Sequence, residues 1–280
     1  MTEPLAGPGD LIDVHAHFYQ AGAARADWRR LSARRLQAGD RIGITHHVAS
    51  ILGTWGATSP AYFQSPADTR AGNDAMLALQ ATDARIRSYV AVNPNDQAFA
   101  LAEIDRCAAR GAIGLKLAAA RRCDDPLLAP IIERASSLGF PVLHHIWQHR
   151  RRHWPGQDIS DGADLARLAG HYPRVSFILA HIGGGGDYRH TFAAVRELPN
   201  VYLDLSGSGI DRGMLDDAYA AVGARRLLWG ADLTLCTGLA KLWALGVMGV
   251  APPELADIRS GNARRIFPPG SFAEPVPSQA

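Results

Sequence analysis

The sequence predicts an α/β fold, a distorted (β/α)8 TIM barrel in a single domain. Three observations carry that prediction. Eight short apolar runs alternate with longer helical stretches, no Pro-, Gly- or Ser-rich linker divides them, and 280 residues suits one barrel of roughly 250. Parallel neighbours need crossover connections, so regular strand–helix alternation points to parallel pairing. An open doubly wound sheet would show the same alternation, but no GxGxxG follows the first run, which counts against its dinucleotide-binding form.

The predicted strands are residues 11–17, 43–52, 86–92, 112–117, 141–145, 175–181, 201–205 and 226–232, each a β-branched or leucine-rich run ending at a polar residue or glycine. Between them lie helix signals. Asp96 can cap a helix over 98–110 that Gly111 ends, Asp124 can start one that Gly139 stops, and Asp161 can begin another around 165–170. The barrel domain is expected to span 1–267. Residues 268–280 (PPGSFAEPVPSQA) read as a Pro-rich tail, frayed or draped over the surface.

Composition excludes several classes of function. Hydrophobic residues at 47% and charged residues at 20% are globular, and a net charge of +2 names neither nucleic acid nor an acidic membrane as partner. No apolar run approaches the roughly 18 residues of a membrane span, and MTEPLAGPGD lacks the regions of a signal peptide. Cys107, Cys123 and Cys236 are widely spaced with no CxxC pair, so they read as reduced thiols in a cytoplasmic protein. Two counts are less ordinary. There are 11 histidines, and two lysines (Lys116 and Lys241) among 29 lysines and arginines.

The histidines fall where a barrel builds its site. In Asp13-Val-His15-Ala-His17, strand alternation puts Asp13, His15 and His17 on one face, so two imidazoles can grip one cation from one side. A histidine pair at a strand end can also be held by backbone alone. Recurrence decides between them: His145 ends the fifth run, His181 the sixth and Asp232 the eighth. In a parallel barrel those ends share the C-terminal rim, where active sites are built.

LIDVHAHF, GLKL (114–117), PVLHH, FILAHIGG, LLWGADLT and GNARRIF (261–267) run in this order over nearly the whole chain. Together they resemble the amidohydrolase superfamily, specifically the amidohydrolase-related branch of aminocarboxymuconate-semialdehyde decarboxylase-like metal-dependent hydrolases. The resemblance implies a distorted barrel carrying one or two divalent metals at its rim. It assigns His15, His17, His145 and Asp232 as metal ligands, and Asp232 and His181 as catalytic residues. The implied cofactor is a divalent metal, zinc first, with Mn, Fe or Co admissible.

A bound divalent cation can lower the pKa of its water toward about 7. Asp232 can take the water proton and return it to a leaving group, while His181 polarises a carbonyl. The expected function is therefore a metal-dependent hydrolase whose metal-activated water attacks the carbonyl of a small carboxylate-bearing or cyclic (lactone or amide) substrate. The alternative is a non-oxidative decarboxylase or hydratase of an aromatic or enolic acid on the same site. Family habit adds a homodimer as a possible partner state.

Lys116 ends the fourth run; the resemblance implies either a carboxylated bridge between two metals or, as expected here, a barrel-wall or substrate-contacting amine. The loop after His145 carries Trp147, His149, Arg150 and His153, a substrate-carboxylate clamp or a solvated basic loop. Trp55, Tyr19 and Trp147 can supply an aromatic substrate wall, and Gly183–Gly186 can let a loop pass close to the metal. His46, His47 and His144 read as packing residues. Arg25, Arg29, Arg30, Arg34, Arg35 and Arg41 read as a water-exposed helix face.

Overall fold

Eight parallel strands pair in sequence order: β1 (Ile12–His17), β2 (His46–Ser50), β3 (Ile86–Val92), β4 (Gly114–Leu117), β5 (Val142–His145), β6 (Phe177–Ala180), β7 (Val201–Asp204) and β8 (Leu227–Leu228). The computed structural model describes residues 9–19, 27–51, 65–118, 120–146, 160–182, 187–207, 213–233 and 235–273. Helices α1 (Trp28–Ile42), α2 (Pro66–Thr82), α3 (Gln97–Ala108), α4 (Ala129–Ser137), α5 (Gly162–His171), α6 (Tyr188–Val195), α7 (Met214–Val222) and α8 (Leu235–Val247) follow the strands in turn. Short helices α9 (Pro252–Ala256) and α10 (Asn262–Ile266) complete the order. This is the predicted single-domain (β/α)8 barrel. Among the described residues no helix is long and apolar enough to cross a membrane.

Local chemistry sets the helix starts. Asp161 accepts from the N–H groups of Ala163 and Asp164, and Asp164 accepts from Asp161 N, so α5 begins on a full capping box. The start expected at Asp124 shifts to Asp125, whose side chain caps a 3-10 turn (Pro126–Leu128) leading into α4. Alternation along the strands separates two cores. Val142, Phe177, Leu179, Val201 and Leu203 face the helices, while Val48, Leu143, Ile178 and Leu228 fill the barrel.

Two predicted features are corrected. First, Asp13 does not share a face with His15 and His17. The β1–β2 register slips between Asp13 and Ala16, a bulge that places Ile12 and Val14 in the barrel, Asp13 outside it, and His15 and His17 inside again. The bulge disrupts the ladder, and its polar groups find other partners: Asp13 Oδ1 accepts from His15 N (3.1 Å), Tyr89 Oη donates to Val14 O (2.8 Å), and Asp232 N donates to His15 O (2.6 Å). Outside, Asp13 meets Arg35 of α1 at 2.7 Å.

Second, the start of the tail is built into the barrel. Phe267 and Phe272 stack edge-on, with centroids 5.4 Å apart, and close the floor beneath Tyr89 and His46. Arg87 and Arg264 hold the carbonyls of Ser271 and Phe272. His46 is thus the one of the histidine pair that enters the barrel, whereas His47 is buried on the α1 side beside Asp13. His144 likewise faces outward.

A Phe-to-Ala change at a buried site costs about 3–5 kcal/mol. Phe272→Ala should therefore lower the urea midpoint with little change in the slope. A wild-type midpoint would mean that the floor does not depend on the tail.

Candidate metal centre and active site

The bulge in β1 presents two imidazoles to one point. His15 Nδ1 donates to Asp204 Oδ2 at 2.8 Å, and His17 Nδ1 donates to the carbonyl of Ser50 at 3.0 Å. With both Nδ1 protons committed, the Nε2 lone pairs turn inward, 3.2 Å apart. Two acceptors at that distance repel unless a cation or a proton lies between them. Asp232 supplies the countercharge, its Oδ1 lying 3.4 Å from His17 Nε2 and 3.9 Å from His15 Nε2. Ligand atoms of His15, His17 and Asp232 lie within 4.8 Å of one another. Two neutral imidazoles and one carboxylate form a donor set suited to a divalent transition metal.

The imidazoles are neutral. Burial holds His15, His17, His145 and His181 well below the usual histidine range; Lys116 reinforces it at His15, and among the rings a proton on one would oppose a proton on its neighbour, His15 against His17 and His181, His181 against His145. Asp232 moves the other way, raised to about 6 by burial and by Asp204, against the pull of Lys116. A carboxyl that titrates near neutrality can both hold and release a proton.

His181 and Asp232 have positive φ, 66° and 54°, the two non-glycine residues with this conformation among those described. Left-handed backbone costs a non-glycine residue about 1–3 kcal/mol and concentrates at functional sites. At His181 the cause is visible. β6 ends at Ala180, not at residue 181 as expected, and Ala180 faces the barrel interior. Continued alternation would send His181 out toward the helices; the left-handed turn brings it back. Its Nε2 meets His145 Nδ1 at 3.0 Å, and its Nδ1 lies 3.7 Å from Asp232 Oδ2. Gly207 makes room for this, since a Cβ there would sit 2.9 Å from the His181 Cβ.

Three supporting residues escape the sequence reading. Asp204, at the end of β7 and fully buried, accepts from His15 Nδ1, His181 N (3.2 Å), Ser206 N (2.8 Å) and the Ser206 hydroxyl. Ser206 Oγ lies 3.0 Å from His15 Nδ1 and 3.2 Å from His181 Nδ1, linking the two rings. Lys241 of α8, fully buried, donates to the carbonyls of Leu205 (3.0 Å), Ser206 (2.9 Å) and Gly207 (2.7 Å). The rule that picked out His145, His181 and Asp232, a polar residue ending an apolar run, also picks out Asp204. Lys241 carries no such signal, because it reaches the site from a helix.

Lys116 stands at the middle of the site. It is 1% exposed, its Nζ lies 3.0 Å from His15 Nε2, and burial lowers it to about 8. The structure therefore brings together His15, His17, His181, Asp232 and Lys116. His145 joins through His181 and lies outside the His15–His17–Asp232 cluster. Trp55, Trp147, Arg150, His149, His153 and Gly183–Gly186 lie outside the described residues.

The model of the amidohydrolase family matches residues 12–268, from the first residue of β1 to just past the barrel floor. The chain belongs to the amidohydrolase family. No curated protein matches this amidohydrolase-family chain by sequence. Among solved structures, 5-carboxyvanillate decarboxylase from Sphingomonas paucimobilis is similar at 18% identity and a TM-score of 0.69, over 92% of this chain and 98% of that one. A dihydroxybenzoic acid decarboxylase from Polaromonas sp. JS666, with bound manganese, gives 19% and 0.69 over 92% and 97%. An amidohydrolase from Burkholderia multivorans, with bound zinc, gives 15% and 0.67 over 92% and 99%. At these identities the likeness is one of fold.

Carboxylates behind metal-ligating histidines are typically worth 10–100-fold in metal affinity. Asp204→Asn is expected to weaken Zn or Mn binding by about that factor, read by competition with a chromophoric chelator. Unchanged affinity would remove Asp204 from the support of His15.

Proposed function

We propose that this chain is a metal-dependent, non-oxidative decarboxylase of a small aromatic or enolic carboxylic acid. The observation that carries the reading is Lys116. Its buried amine lies 3.0 Å from His15 Nε2, with the Asp232 and Asp204 carboxylates as its charged neighbours, and an ammonium held at that point of the site can also pair with a substrate carboxylate. Two of the similar structures, both decarboxylases of substituted benzoates, support the same choice. This reverses the order expected from sequence, where hydrolysis came first.

The residues fit the chemistry. Lys116 binds and orients the carboxylate. Asp232 is the group placed to carry a proton beside the substrate. When the C–CO2 bond breaks, its electron pair stays on the ring or enol carbon, and Asp232 delivers the proton there, releasing carbon dioxide. His181, kept neutral by burial, donates a hydrogen bond to a substrate oxygen. His15, His17 and Asp232 would hold a divalent cation, with His145 as a further donor, and the cation would supply Lewis acidity toward a substrate oxygen. Zinc and manganese both suit such donors. A small-molecule substrate, a homodimer and a cytoplasmic location complete the proposal.

The test uses protein reconstituted with Mn or Zn and a panel of hydroxylated benzoates, enolic acids, lactones and amides. The expected result is carbon dioxide in step with loss of the acid. Asp232→Asn should lower kcat by about 100-fold or more, the lower end of general acid catalysis. Lys116→Met should raise KM by about 30-fold, since truncating one partner of a buried charge pair costs about 2 kcal/mol or more. Acid release from lactones or amides without carbon dioxide would replace this reading with hydrolysis. Less than about a tenth of an equivalent of metal after reconstitution would overturn the premise of metal dependence.

A further inference from the structure

Arg35 belongs, by sequence, to a run of arginines expected to face water. The structure buries it instead, at 9% exposure, on the outer side of β1. Its planar fork has two targets. Nη2 donates to Asp13 Oδ2 at 2.7 Å, and Nη1 donates to the backbone carbonyl of Asp232 at 2.6 Å. The other oxygen of Asp13, Oδ1, accepts from His15 N at 3.1 Å and from Ala231 N at 3.0 Å. One Arg–Asp pair therefore holds the main chain at His15, Ala231 and Asp232 from behind, without touching the space that a metal or substrate would enter.

This brace acts where the sheet provides little. β8 ends at Leu228, and beyond it the segment meets β1 through single contacts such as the Ala16–Asp232 bridge and the Asp232 N to His15 O bond. Asp232 also holds a left-handed backbone with φ of 54°, a conformation that persists only where its surroundings over-determine it. We propose that Arg35 is a positioning residue for the metal centre: by holding the Asp232 carbonyl it locks the left-handed turn that aims the Asp232 carboxylate at His15 and His17. The proposal rests on the reading of Asp232 as a ligand. Lysine cannot replace Arg35, because a single ammonium does not present the flat two-pronged fork that spans both acceptors.

The test uses Co(II), whose visible absorption reports ligand geometry, in the full-length chain. Four proteins form a double-mutant cycle: wild type, Arg35→Lys, Asp232→Ala and the double variant. Arg35→Lys is expected to weaken Co(II) binding by about tenfold, as loss of an outer support typically does, and to shift the spectrum toward that of Asp232→Ala. In the Asp232→Ala background the same change should alter affinity less than about twofold, because a residue that acts through Asp232 has nothing left to position. Wild-type binding and spectrum in Arg35→Lys, or losses that add in the double variant, would overturn the proposal. Wild-type binding by Asp232→Ala would overturn the site reading itself, and the proposal with it. Should Arg35→Lys not fold, Arg35→Met with Asp13→Asn leaves no unpaired buried charge. That pair should show the same loss in affinity and the same spectral shift, and wild-type values would again overturn the proposal.

Discussion

The carboxylate of Asp204 is the point on which the site depends. It is fully buried and takes hydrogen bonds from the His15 ring, from two backbone N–H groups and from the Ser206 hydroxyl. Through the first it sets the His15 tautomer. Through the others it ties the start of the His181 turn to the end of β7. Lys241 grips the same segment from the opposite side through three consecutive carbonyls. The carbonyls of residues 205–207 are thus held by α8, and the Ser206 N–H and hydroxyl by Asp204, which leaves this short stretch little freedom. Three acceptors converging on one atom suit the ammonium of lysine, whose three protons point apart; the flat arginine fork does not match them. A chain that otherwise uses arginine for its cations keeps both lysines beside this site.

Much of this was legible in the sequence, and the reason is geometric. In a parallel barrel every strand ends on the same rim, so a polar residue closing an apolar run is informative without any knowledge of packing. His15, His17, His181 and Asp232 follow from that rule. What the rule misses depends on departures from ideal strands. The β1 bulge turns Asp13 outward and so reverses its role from ligand-face neighbour to anchor of the main chain. The left-handed turn at His181 restores a side chain that alternation would have lost, so His181 reaches the rim by a turn and not by the strand extension expected from sequence. Arg35 and Lys241 lie on helices and act across the sheet, where no local pattern marks them. Phe272 is similar: a Pro-rich segment reads as a tail, and only the open end of the barrel shows why it is buried.

The two corrected regions share a physical cause. A nearly closed barrel leaves little strand edge, but its two ends still expose backbone and apolar side chains. At the floor, Phe267 and Phe272 cover them. At the rim, the polar ends of the strands are covered by one another, through Asp204, Ser206, Lys241 and the Arg35–Asp13 pair. The rim arrangement leaves buried charge, and burial shifts its members toward neutrality: Lys116 and Lys241 to about 8, Asp232 to about 6. Apolar closure supplies stability at one end, and polar closure supplies reactive groups at the other.

Lys116 and a metal cannot use His15 in the same way at the same time. Lys116 Nζ lies 3.0 Å from His15 Nε2, and with the Nδ1 proton committed to Asp204 that nitrogen has one lone pair. A cation that takes it excludes the lysine, and the lysine that donates into it excludes the cation. Cation binding therefore frees the Lys116 amine from the imidazole while leaving it buried, with the Asp232 and Asp204 carboxylates as its charged neighbours and its protons open to a further anion. On the proposed function, metal occupancy and affinity for a carboxylate substrate would be linked through a single nitrogen, and linkage is reciprocal. On the same reading, a carboxylate substrate that paired with Lys116 would remove a competitor for His15 and so strengthen the hold on a bound cation.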